Sequence, residues 1–393
     1  MTTTTIDTAG PESVLPGATP HDHRGSWLPS GAMIATRCME LRKRRGLMAA
    51  LILVNIGIPA VFLIIRLLAH AIAPHSYAPA GGYAIFSTMV AGVLFVFGFI
   101  VAATLGCTAG SVDLTEGMFR HLVVTGRSRL ALYLARIPAG LAILVPLVAA
   151  GFAIVCIVCA LAAPTQLSFN GVNVPPGLSQ PALETWAAGH ADDVICNFPI
   201  NIGPSSDLAQ AVNSVQCGGN NGPPVTKGGP GVPTQPQVTR AQVEDAARRI
   251  AGVNFADYSR QFLSPSISLM VKAGLWLELY AAIGLLVGLG LSSLMGQRTV
   301  PVILMIILEI VLTPLLSHAP IAHLLNVQRS LVGIAVTHFE PGGLPSVFGG
   351  GDHNGGPGVP GVTESATVAV CIIAGWVVIW TVLGAWRMVK RDA

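Results

Sequence analysis

Charge is what this sequence lacks. Only 10% of its 393 residues are Asp, Glu, Lys or Arg, against about 25% in ordinary soluble domains, which excludes a water-facing surface of normal polarity. Nor does either sign dominate. A net charge of +3 leaves no broad basic footprint, so no nucleic-acid partner is expected. Absent too is any G-x-x-x-x-G-K-[ST] string that would cradle phosphates. Residues 1–30 contain no apolar core of the kind a cleavable signal peptide carries, so the chain is expected to enter a membrane through its first true span, behind a flexible segment at 1–34. Glycine and proline are plentiful, at 44 and 28 residues, but not periodic, which excludes a collagen-like chain and leaves loops between apolar runs. No nucleophile motif stands out, and neither a catalytic group nor a metal site is expected.

What is present is apolar. Hydrophobic residues make up 52% of the chain and its mean hydropathy is +0.65. A bilayer core of about 30 Å needs roughly 20 mostly apolar residues per helix, and six runs qualify: about 47–72, 84–108, 130–163, 267–295, 300–317 and 366–386. The expected fold class is an all-α polytopic membrane protein with six transmembrane helices. The third run is overlong and carries Pro138 and Pro146, so only part of it need lie in lipid. Pro59 in the first is tolerable where neighbouring groups satisfy the freed carbonyl.

Orientation follows from arginine and lysine near the span ends, because positive residues are retained on the cytoplasmic side. One side collects Arg42, Lys43, Arg44 and Arg45, then Arg120, Arg127, Arg129 and Arg136, then Arg298, then Arg387, Lys390 and Arg391. Both termini are therefore expected inside, and the long segments 164–266 and 318–365 outside. The preference for arginine over lysine hints at a GC-rich bacterial genome, hence a multi-pass protein of a bacterial plasma membrane.

The 164–266 segment is long for a connection and reads as a small domain or cap between the third and fourth spans. Within it, 238–262 begins with a Thr239 cap signal and places Val243, Ala246, Ala247 and Ile250 at helical spacing. Short helices are also expected near 181–189 and 205–215. Asp192, Asp193 and His190 read as a solvated acidic turn. Cys196 and Cys217 share this outer side, and one disulfide between them is expected if the geometry permits. Cys156 and Cys159 spell C-x-x-C inside an apolar run without His or acidic partners, which reads as small residues packing against a helix. In the second outer segment, 321–336 is too short and too polar for a span and is expected to lie at the interface or dip partly into the membrane. A Gly/Pro loop follows at 341–362, in which Asp352 and His353 have no further ligand beside them.

Four ionisable residues fall inside the apolar runs, where insertion scales put the cost at about 2.5 to 3.5 kcal/mol each. Arg66 and Lys272, toward the outer ends, can snorkel. Glu278 and Glu309 are deeper. Two readings stand: structural ion pairs with Arg66 or Lys272, or contact with a substrate or proton along a polar route.

The most informative stretch is 110–139, GSVDLTEGMFRHLVVTGRSRLALYLARIPA. Asp113 and Glu116 suit a helix start, since carboxylates accept free amide donors and oppose the dipole. Phe119, Leu122 and Val123 then give an apolar face beside Arg120 and His121, and Gly126 to Arg129 form a basic turn. With the string Glu40, Leu41, Arg42, Lys43, Arg45 before the first span, this resembles the permease subunits of type-two ABC transporters, mostly exporters. Asp113, Glu116, Gly117, Arg120, Leu122, Thr125, Arg127 and Arg129 fall into that family's pattern, while Met118 stands where threonine is commoner. The resemblance covers about 70 residues by motif, and the six-span layout with both ends inside. It implies that 112–125 is a coupling helix docking on a separate ATPase subunit and that 35–46 is a connecting helix along the membrane surface. ATP and Mg would bind to that partner, with no cofactor on this chain, and a second permease copy or homologue would complete the pathway. Family members usually have a short connection where this chain has 164–266. The bland reading of both motifs is interfacial helices with basic anchors. A secondary transporter or channel working without ATP, and a membrane-anchored extracellular binding protein, are the alternatives.

Overall fold

The computed structural model describes residues 28–73, 77, 80–115, 128–199, 215, 217, 239–259, 261–317, 325–342, 344 and 365–390. The chain is mostly helical. Six helices are long and apolar enough to cross a membrane: Arg45–Ile72, Tyr83–Val112, Arg129–Leu161, Ile267–Met295, Thr299–Leu316 and Ala366–Lys390, here called spans one to six. The insert lies between spans three and four, at residues 162–266, as the apolar runs require. Small polar caps set several starts. Ser128 accepts from the Ala131 amide at 3.2 Å and Ser266 from Leu269 at 3.2 Å, each satisfying one donor that a helix N-terminus leaves open. Spans one, two and five each contain a π-helical stretch, Leu53–Gly57, Met89–Leu94 and Ile307–Leu312.

Spans two and four form the centre. Inside a membrane there is no hydrophobic drive between helices, so close packing of small residues does the work. Gly106 and Gly110 on span two, and Gly284 and Gly288 on span four, repeat at the four-residue interval that lines one helix face. Gly106 rests on the Leu285 carbonyl, and a Cβ at Gly288 would lie 2.8 Å from the Ala103 oxygen. Span six joins the pair through Gly384, where a Cβ would lie 2.8 Å from the Gly290 oxygen. Span four is accordingly buried nearly all round from Tyr280 to Ser293, whereas its first half presents Val271, Leu275 and Leu279 outward and spans one, five and six present Ile64, Ile65, Leu68, Ile303, Leu304, Val378, Ile379 and Val382.

At one end of the bundle, spans two, three and four are tied through a single turn. The Gly82 amide donates to the Cys159 carbonyl at 2.8 Å and the Tyr83 amide to the Leu263 carbonyl at 3.1 Å. Gly82 has φ 90°, open to glycine and strained for other residues, and a Cβ there would lie 2.7 Å from the Leu263 oxygen.

The insert has its own apolar core, separate from that of the spans. Leu167–Phe169 and Val172–Val174 pair as an antiparallel hairpin, turned by Asn170 and Gly171 at φ 48° and 82°. Both central residues of a tight hairpin turn need positive φ, and Asn-Gly supplies them most easily. Helices Gln180–Gly189, Ala191–Asn197, Arg240–Val253 and Phe255–Ser259 pack around it. Thr239 and Gln242 form a reciprocal capping box at the start of the third. Buried Leu183, Val194, Val243 and Ile250 fill the interior beside Phe169 and Tyr258. Asn254 ends the third helix, its amide reaching the Ile250 carbonyl at 2.8 Å and the Pro199 carbonyl at 3.0 Å. Cys196 and Cys217 form a disulfide. The short helix expected near 205–215 and the Gly/Pro loop with Asp352 and His353 lie outside the described residues.

Three outcomes follow. Gly106→Val, which drives a side chain into a backbone carbonyl, is expected to cost about 3 kcal/mol and lower the thermal midpoint in detergent. Gly98→Ala, at a site with open space beside it, should leave the midpoint unchanged or raise it. Replacing both Cys196 and Cys217 with serine should destabilise the insert by about 3 kcal/mol through the reopened loop, read as faster proteolysis within 164–266 while the spans stay intact.

Candidate functional site

The basic residues gather at the opposite end of the bundle. Helix Gly31–Lys43 is capped by Ser30 and precedes span one, from which it is separated by a break at Arg44, φ −78° and ψ 72°. It begins four residues before the expected connecting helix because Ser30 accepts the Met33 amide at 3.4 Å. Arg42, Lys43 and Arg45 are exposed, whereas Leu41 is buried. Glu40 pairs with Arg37 at 2.7 Å. Arg37, Glu40 and Leu41 line a small crevice with Ala109 and Val112 of span two and Arg136 of span three. This helix therefore lies against the inner corner of spans two and three.

Arg136 is the pivot of that corner. It is 2% exposed, and its guanidinium donates to the Gly110 carbonyl at 2.9 Å. Ser293 of span four donates to the same oxygen at 3.2 Å. One carbonyl thus holds spans two, three and four together beside the start of the 112–125 segment. Arg129 donates to the Val389 carbonyl at 3.0 Å, which fastens span three to the end of span six. Of the expected coupling residues, Asp113 falls in the helical continuation of span two, which runs to Thr115. The Asp113 side chain and Glu116, Gly117, Phe119, Arg120, Leu122 and Arg127 lie outside what the structure describes.

A second polar cluster is inside the spans. Glu309 sits in the π-helical stretch of span five and is buried. The Tyr280 hydroxyl of span four donates to its Oε1, and Thr313 Oγ1 lies 3.5 Å from its Oε2. Tyr280 stacks on Phe95 and Phe99 of span two at 4.1 and 4.7 Å, so the phenol is aimed by the central pair. Neither deep acid pairs with Arg66 or Lys272. Lys272 faces outward with Val271 and Leu275, and the Arg66 guanidinium lies 5.9 Å over the Phe62 ring of its own helix. Both Glu278 oxygens are buried and, among the described residues, have no hydrogen-bond partner. Ion pairing with these two cations thus gives way to hydroxyl bonding at Glu309, because Tyr280 and Thr313 reach it and the cations do not. Asn55, in the π-helical stretch of span one, is likewise buried and donates to the Leu147 carbonyl at 2.7 Å.

Over Glu309 lies the segment expected to dip into the membrane. It forms two short helices, Leu325–Ser330 and Val332–Thr337, and Val332 to Val336 are buried. The final carbonyls of such helices have no partner within the helix. Indole groups reach two of them: Trp276 donates at 2.9 Å to the Val336 carbonyl, which also accepts the Phe339 amide at 3.1 Å, and Trp376 donates to the Ser330 carbonyl at 2.7 Å. Gly333 rests on the carboxyl, where a Cβ would lie 2.9 Å from Glu309 Cδ.

In the insert, Asp192 pairs with Arg240 at 3.1 Å on an exposed face, and His190 stacks on Trp186 at 4.4 Å. Such exposed pairs contribute little to stability. Cys156 and Cys159 are unbonded and packed in span three.

Compared with protein-family models, curated proteins and solved structures, the chain matches none. The class the fold defines is coarser: six long apolar helices suggest a polytopic membrane protein, multi-pass in location.

Arg136→Met keeps most of the side-chain volume and removes the charged bond to Gly110. It should cost about 2 kcal/mol in thermal denaturation, whereas Arg45→Met, at an exposed site, should leave the midpoint within about 0.5 kcal/mol of the parent.

Proposed function

We propose that this chain is the membrane-spanning permease subunit of a type-two ABC transporter, exporting a substrate with energy from a separate ATPase subunit and working beside a second permease copy. One observation carries the reading. The Gly31–Lys43 helix, which bears Glu40 to Lys43 of the string that Arg45 completes after the break, lies against the same corner of spans two and three from which the 112–125 motif departs. A force applied to that loop would be passed to spans two, three and four through Gly110, Arg136 and Ser293, and through spans two and four to the rest of the bundle.

The gathering of Arg42 to Arg45, Arg129, Arg136, Arg298, Arg387 and Lys390 at one end of alternating spans supports placing that end in the cytoplasm. The disulfide supports an oxidising outer side for the insert. ATP and Mg belong to the partner in this reading, and no nucleic acid is involved. A transporter driven without ATP is the second reading, favoured by the buried carboxyl of Glu309, since intramembrane acids mark ion and proton routes.

Co-expression with an ATPase that carries the phosphate-binding string tests the proposal. The two chains should co-purify, and a cysteine at Arg120 should cross-link to the ATPase. Arg120→Glu should weaken the association about tenfold, the equivalent of about 1.4 kcal/mol. A chain that moves substrate with no ATPase bound, or a 112–125 loop that contacts none, would defeat the reading.

A further inference from the structure

Glu309 is 4% exposed, and the surroundings of its two oxygens differ in a way that fixes its chemical form. Oε1 accepts a hydrogen bond from the Tyr280 hydroxyl. Oε2 faces Thr313 Oγ1 at 3.5 Å, but that hydroxyl also lies 2.9 Å from the Leu308 carbonyl. The π-helical register places the Thr313 amide on the Leu308 carbonyl as well. A hydroxyl has one proton and two lone pairs, and the shorter bond takes the proton. Thr313 therefore turns a lone pair toward Glu309. An ionised carboxylate would set lone pair against lone pair at Oε2. A carboxylic acid instead donates Oε2–H to Thr313 and accepts Tyr280 at Oε1, and every polar atom of the cluster is used.

The charges around it agree. Among the described residues Tyr280 is the one titratable group that contacts Glu309. Span two presents Phe95 and Phe99 behind that phenol, and the covering helices present Gly333. Arg329, His338 and Glu340 of the covering segment, and Lys272 and Glu278 of span four, make no hydrogen bond or ion pair with it. A buried carboxylate without a cation is held in its neutral form, because an unpaired charge at that depth costs several kcal/mol.

We infer that Glu309 is a proton-binding site, occupied at neutral pH while the 325–337 segment covers it and emptied to water when that segment lifts. Release breaks the Oε2–H bond and passes the proton to an entering water. The remaining carboxylate keeps the Tyr280 bond and gains water where Gly333 had been. Lifting also breaks the two indole bonds, from Trp276 and Trp376, that hold the segment down. The site has this chemistry whichever energy source drives the protein, so it stands apart from the ATPase proposal.

Infrared difference spectroscopy of the full chain in lipid at neutral pH tests it, because a protonated carboxyl has a carbonyl band well apart from those of carboxylates. Glu278 is a second buried carboxyl without a cation, so the parent band should hold two components: that of Glu309 should be lost in Glu309→Gln and retained in Glu278→Gln, with circular dichroism and elution unchanged. Transfer to heavy water should shift it slowly, and about tenfold faster in Trp376→Phe, the equivalent of about 1.4 kcal/mol for one lost bond. Tyr280→Phe keeps the carboxyl and removes the bond at Oε1, so its band should move to higher frequency. That variant also serves if Glu309→Gln does not fold. A band that Glu309→Gln leaves undiminished, or a Glu309 component, read in the Glu278→Gln background, that Tyr280→Phe leaves unmoved, would overturn the inference.

Discussion

The close approach of spans two and four is the constraint on which the other features rest. Lipid tails are as apolar as leucine, so two apolar helices gain little by meeting unless their backbones come near enough for dense van der Waals contact. Gly106, Gly110, Gly284 and Gly288 remove the side chains that would hold them apart. Once the backbones touch, residues on either side fall into register. Phe95 and Phe99 meet Trp276 and Tyr280 in a stack, and the Gly110 carbonyl comes within reach of Ser293 and Arg136.

From that centre the two ends of the bundle receive different treatment. At the basic end a carbonyl accepts donors from two other spans, and the Gly31–Lys43 helix closes the corner. At the other end a glycine turn binds the exit of span three and the entry of span four, and a small disulfide-bonded domain rises between them. The segment before span six folds back toward Glu309 instead of staying at the surface. Tryptophans on spans four and six bring N–H groups to the carbonyls that end its two helices.

Much of the architecture was legible because hydropathy is a local property. Each span could be read from its own composition, and the Thr239 helix from its cap and the spacing of Val243 to Ile250. The Asn170-Gly171 hairpin carried a local signal as well, which the reading of the insert passed over. The site was harder. Arg136 reads as one more basic residue near a span end until Gly110 is seen beside it. Tyr280 and Thr313 give the partners of Glu309, but the first lies on another span, and nothing in the sequence fixes which faces of spans four and five meet. A hydroxyl-bearing aromatic in an apolar run does call for a partner, and that was the available clue. The three π-helical stretches had no signal of their own in residue spacing, although two of them hold the buried Asn55 and Glu309.

The turn at Gly82 and Tyr83 has one more consequence. It fastens the strand of chain leaving span three and the strand arriving at span four within one residue of each other, at the Cys159 and Leu263 carbonyls. Everything between those points is bracketed, with an interior of its own. The bundle is therefore indifferent to how much chain is threaded there: a short linker or a whole domain would leave the same turn closed. In evolutionary terms this is a socket, a place where a chain can acquire or exchange an outer module without renegotiating the packing of its spans.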